Sequence, residues 1–168
     1  AALRCLLATD PEQKIRLAPQ LQQAWLAGEL QRSAQALPAQ KIEIPGRPAK
    51  PVLVLPKQMK QRKLHHLEGR IALLHAVAHI EFNAINLALD AVYRFREMPE
   101  AYYSDWLQVA AEEAYHFALV RTRLRELGAD YGDLPAHNGL WEHALKTDHD
   151  VLVRMALVPR VLEARGLD

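Results

Sequence analysis

Glu112-Glu113-Ala114-Tyr115-His116 lies inside Ala101 to Leu127, a stretch with no internal Gly or Pro. With Glu113 set at zero on a helix, Trp106, Val109, Ala110, Phe117, Val120, Leu124 and Leu127 fall within about 60° of it. Glu113 therefore centres an apolar stripe, with His116 at the edge, one turn on. A carboxylate on a core-facing stripe is costly unless something pairs with it. Glu112 sits about 100° off the stripe and reads as solvated. A Glu-x-x-His pair by itself is most often an ordinary hydrogen bond or ion pair. A second helix with a matching acid changes that reading.

That helix is the stretch from about Glu68 to Glu97, closed by Pro99. With Glu81 at zero, Leu74, Val77, Ala78, Ala84, Ile85, Ala88, Val92 and Phe95 lie within about 60°. The same pattern, an acid centred on a core stripe, thus occurs twice. His75 and His79, spaced i, i+4, can bind metal but lie roughly 120–160° from Glu81. They read as packing against a neighbouring segment or hydrogen-bonding to it.

Working outward, Thr9-Asp10-Pro11-Glu12 has capping-box spacing with Pro in the first turn. It predicts a helix over 11–27, bent at Pro19 and stopped by Gly28. Residues 38–60 carry Pro38, Pro45, Pro48, Pro51 and Pro56, which exclude a regular helix. Val52-Leu53-Val54-Leu55 reads as extended chain, and the segment as an irregular strap across the bundle. Asn138 caps a short helix through Trp141 to Leu145. Thr147-Asp148-His149-Asp150 opens a last helix over 147–165, kinked at Pro159 and apolar all round. Glu163, on its Leu152, Ala156 and Pro159 side, is the third candidate acid. Residues 1–66 (helix and strap) and 67–168 (bundle) are expected to form one domain.

Composition sets the outer limits. The chain has 168 residues, half of them hydrophobic and 24% charged, with net charge +1. That suits one globular core and gives no global charge for a nucleic acid or membrane. Lys41 to Arg70 is locally basic and offers RNA a contact, but no aromatic residues interleave as a stacking platform requires. The solvated strap is the simpler reading. The single cysteine, Cys5, excludes an intramolecular disulfide framework and a Cys-rich zinc site. The first residues read as too short and too soon charged for a signal peptide, and no run reads as a membrane span. The expected location is cytoplasmic.

Residues from about Gly69 to Asp168 resemble an uncharacterised bacterial family of the ferritin-like di-metal carboxylate superfamily. The matching stretches are His75-Ala-Val-Ala-His79-Ile-Glu81, Glu113-x-x-His116-Phe117, Gly132-Asp133-Leu134-Pro135 and Glu163-Ala-Arg-Gly-Leu-Asp168. The resemblance implies an all-α antiparallel bundle around two iron or manganese ions. Glu113 would bridge, His116 and Glu81 would bind one ion, and Glu163 would reach the second. Distantly similar transfer-RNA hydroxylases and ubiquinone-pathway hydroxylases use such a site with oxygen, which is fold-level analogy. The superfamily pattern is acid, acid-x-x-His, acid, acid-x-x-His on four helices. This chain supplies the first three. Its site is therefore expected to be empty or partly filled, or completed by a further helix or a second copy docked on the open flank of the bundle. The functions implied are an O₂-dependent oxidase or hydroxylase, a non-catalytic iron-handling protein, or a helical interaction module with a structural Glu/His network.

Overall fold

A computed structural model describes residues 1–31, 38–59 and 63–160; Glu163, the third candidate acid, lies outside the described residues. The fold is all-helical, with no strand among the described residues. Its helices are α1 (Ala2–Leu6), α2 (Pro11–Leu26), α3 (Leu67–Arg94), α4 (Glu100–Glu126), α5 (Gly139–Lys146) and α6 (Val151–Met155).

α2 starts where the sequence says it should. The Asp10 carboxylate accepts from the Glu12 N–H at 3.1 Å, Pro11 occupies the first turn, and Pro19 is accommodated inside the helix. α3 stops at Arg94, three residues short of expectation, because Phe95 already has extended backbone ahead of Pro99. α4 ends at Glu126, followed by Gly128 at φ +82°, a left-handed position that favours glycine.

The expected helix over 147–165 is corrected at its start, and its residues 161–165 lie outside the described residues. Thr147 closes α5 and turns its hydroxyl back to the His143 carbonyl at 2.9 Å. Asp150, not Thr147, caps the next helix, accepting from the N–H groups of Leu152 and Val153. α6 is five residues long and widens at once into a π turn, Ala156–Arg160. Pro159 falls within that turn and brings no N–H to continue an α-helical ladder.

α3 and α4 form an antiparallel hairpin. Tyr102 near the start of α4 reaches the Ala91 carbonyl near the end of α3, and Phe82 meets Phe117 at 5.3 Å between ring centroids. α1 packs on α3 and α2 on α4. Length and composition make α3 capable of crossing a membrane, which the sequence reading did not anticipate. Its buried residues nevertheless include His75, His79, Asn83, Asn86 and Asp90, all held by polar partners in a protein core.

Two buried polar nodes fasten the outer elements to α3. Lys14 of α2 has no exposed surface. Its ammonium donates to the Leu6 carbonyl at 3.0 Å, to the Gly46 carbonyl at 2.6 Å and to Asn86 Oδ1. One cation thereby ties α1, the strap and α3 together. Burial pulls the Lys14 pKa down to about 7, and the three acceptors oppose that pull. Gly46 must be glycine, since a Cβ there would lie 2.3 Å from the Leu7 carbonyl carbon. The second node is Asp90, which pairs with Arg94 at 2.8 Å and with Arg154 of α6 at 2.8 Å. Arg154 also donates to Thr147 Oγ1 and the Ala144 carbonyl, both at 2.7 Å.

The strap runs over the helices as extended chain. Val54 N–H donates to the Ala136 carbonyl at 2.8 Å, and Ala136 N–H to the Val52 carbonyl at 3.1 Å, forming an isolated parallel bridge. Trp141 of α5 donates its indole N–H to the Glu43 carbonyl at 3.0 Å.

Candidate metal centre

Glu81 of α3 and Glu113 and His116 of α4 come together. One potential ligand atom from each lies within 4.8 Å of the others. The antiparallel hairpin is what does this: Phe82 and Phe117 interlock in the core, so the turns carrying Glu81 and Glu113 face one another across the helix pair. His116 Nδ1 lies 3.1 Å from Glu113 Oε2.

The sequence put each acid at the centre of a buried stripe, and here the structure corrects it. The fully buried face of α3 runs through Ala78, Phe82, Ile85 and Leu89, and that of α4 through Tyr103, Leu107, Ala110, Ala114 and Phe117. Both faces are centred several tens of degrees round from the acids. Glu81 and Glu113 occupy the borders of their stripes, on the same side of the hairpin. Both are half-buried, and the His116 side chain is 50% exposed. Helical periodicity places Val77, Ala84, Val109 and Val120 in the core, but these are only partly covered. An apolar stripe shows which residues can be buried; the neighbours decide which are.

The electrostatics follow from this crowding. Burial, followed by the facing Glu113 carboxyl as hydrogen-bond partner and as like charge, raises the Glu81 pKa to about 8. At neutral pH the Glu81 carboxyl therefore holds a proton and shares it with Glu113. A divalent cation would take the place of that proton and relieve the repulsion. Two carboxylates and an imidazole are donors that iron(II) or manganese(II) accepts, so the residues present fit part of a metal's coordination shell. They do not fill the shells of two ions.

His75 and His79 are not part of this cluster. Gly132 N–H donates to His75 Nε2 at 3.0 Å. His79 Nδ1 meets the Tyr131 hydroxyl at 2.9 Å and Nε2 meets the His137 carbonyl at 3.1 Å. That pairing makes Nδ1 the acceptor and Nε2 the donor. Burial lowers both imidazoles, His79 to about 4. They anchor the Tyr131–His137 loop to α3. No sequence signal named Tyr131 as their partner, because it lies 52 residues from His79.

A helical bundle with an acid, acid-x-x-His cluster on an open flank is the class that this geometry defines. Over residues 7–168 the chain matches, and belongs to, the family described as "Protein of unknown function (DUF455)". It is 58% identical over 128 residues to an uncharacterized protein of Haemophilus influenzae, covering 72% of this chain and 44% of that one. The chain thus spans less than half the length of the relative it matches. No solved structure matches it.

Proposed function

We propose that this is a ferritin-like carboxylate metal protein whose site begins with Glu81, Glu113 and His116 and takes iron or manganese. The observation that carries the reading is the convergence of those three donors within 4.8 Å, on two helices whose acids repel one another unless a proton or a cation lies between them. Glu113 faces both Glu81 and His116 and would hold an ion together with them. His116 supplies the imidazole. Glu163 and a further acid-x-x-His helix are the natural source of the remaining donors, given the four-helix pattern of such sites. When bound, such ions supply two-electron chemistry with O₂, which makes an oxidase or hydroxylase the reaction class. The chain's own contribution is to hold two carboxyls close together on a rigid hairpin and to release the Glu81 proton as metal enters.

The test is metal content of the purified protein together with Fe(II) titration of Glu113→Ala. Loss of binding in that variant supports the site. Equal binding in wild type and variant refutes it. A second reading has its own support: Glu81, Glu113 and His116 already satisfy one another by hydrogen bonds, as a structural network in an interaction module would. Under that reading the purified protein carries no iron or manganese, and neither ion raises its melting temperature.

A further inference from the structure

A cleft of about 410 Å³ lies beside α3, away from the Glu81 carboxyl, and none of the Glu/His cluster lines it. Its floor is the first half of α3, at Ala72, Leu73, Ala76 and Ile80. Its walls are Gln58 and Met59 from the strap, Leu64 just ahead of α3, and the loop from Leu134 to His137. That size falls within the range of small-molecule sites, roughly 300–1,000 Å³.

Two properties of the lining set the chemistry of an occupant. First, among the described residues no carboxylate, lysine or arginine lines the cleft. An ion entering it would lose hydration with no opposite charge to meet from those residues. The apolar side chains there are under-covered: Leu64 is 57% exposed, Leu73 49% and Ile80 51%. Three such residues around one concavity form an apolar surface of the kind that marks binding sites.

Second, the polar groups at its rim offer donors. Gln58 Oε1 accepts from Leu55 N–H at 2.9 Å, and its amide NH₂ is a donor. His137 Nδ1 accepts from Gly139 N–H at 3.2 Å, which puts the ring proton on Nε2. Both rim groups can therefore donate. His75 Nε2 and both ring nitrogens of His79 are committed to Gly132, Tyr131 and the His137 carbonyl, and they hold the loop wall against α3.

The geometry points to a binding site for an uncharged, largely apolar molecule bearing a carbonyl oxygen. The apolar body lies along Ala72, Ala76 and Ile80, and the oxygen accepts from Gln58 and His137 at the rim. This site is independent of the metal reading, because it shares no residue with the Glu81, Glu113 and His116 cluster.

Three probes of one size separate the contributions: acetophenone, ethylbenzene, which lacks the oxygen, and benzoate, which adds a charge. Binding is followed through the backbone amide signals of Ala72, Ala76 and Ala136 in the full 168-residue chain. Acetophenone is expected to shift them saturably. Ethylbenzene should bind about three- to tenfold more weakly, the value of one or two hydrogen bonds, and benzoate more weakly still. His137→Ala should bring acetophenone part of the way to the ethylbenzene level, the added Gln58→Ala should bring it the rest, and neither should change ethylbenzene. Ala76→Phe should abolish binding of all three by filling the floor. If that variant does not fold, Leu73→Trp, at a half-exposed position, takes its place. Benzoate binding as well as acetophenone, unchanged binding in the filled variant, or no saturable shift with any probe would overturn the assignment.

Discussion

Replacing Glu81 with Gln should flatten the pH dependence of stability in the metal-free protein. The Glu81 pKa rises from 4.5 to about 8 on folding. A raised carboxyl pKa means that the folded state holds a proton which the unfolded chain has released. Its contribution to stability is fully present below about pH 4.5 and is lost as pH climbs through 8. Taken at face value, the gap corresponds to about 5 kcal/mol. The site opens to solvent, as the half-exposed His116 shows, and screening there reduces the figure to about 1–2 kcal/mol. Urea unfolding in the presence of a chelator at pH 5, 6, 7 and 8 measures it. Wild type should lose about 1–2 kcal/mol relative to Glu81→Gln across that range, a midpoint change of roughly 0.5–1 M. The difference between the two proteins cancels the opposite contribution of His75 and His79, whose lowered values favour stability as pH rises. With saturating Mn(II) the wild-type slope should reverse, since the ion binds the deprotonated carboxyl. Parallel pH profiles for wild type and Glu81→Gln without metal would refute the shared-proton account.

Lys14→Met should cost about 3 kcal/mol, because the carbonyls of Leu6 and Gly46 and the Asn86 Oδ1 lose their donor together; thermal melting checks it, and faster proteolysis of the strap should accompany it. Asp90→Asn should destabilise by about 3–5 kcal/mol by leaving Arg154 buried without its counter-charge; a loss below 1 kcal/mol in urea unfolding counts against the latch. In Fe(II) titration the 168-residue chain should bind weakly or below two equivalents, while a C-terminally longer form should reach two; tight uptake of two ions by the short monomer would show that the three clustered donors and Glu163 suffice. If instead a second copy covers the open flank, light scattering should show Fe(II) driving the short form to dimers.

Some of this molecule was legible from its sequence alone. Asp10 and Pro11 mark a helix start because a carboxylate there meets orphan N–H groups, and Gly128 marks an end because it accepts positive φ. Local chemistry of this kind needs no neighbour. The pairing of Glu81 with Glu113 was anticipated as well, because two acids on apolar stripes of adjoining helices have few other places to go. The exact facing was not. Periodicity gives the apolar arc of a helix, and α3 turned that arc about α1, α4 and the Tyr131–His137 loop, so that Glu81 ended on a border instead of at the centre. The last helix was misplaced for a related reason: an all-round apolar run carries no phase, so its start fell at Asp150 instead of Thr147 and its second half widened into a π turn over Ala156–Arg160. Lys14, Asp90 and the cleft beside α3 had no sequence signature. Each exists only because residues distant in the chain were brought together. The value of a buried charge depends on partners that tertiary structure alone supplies.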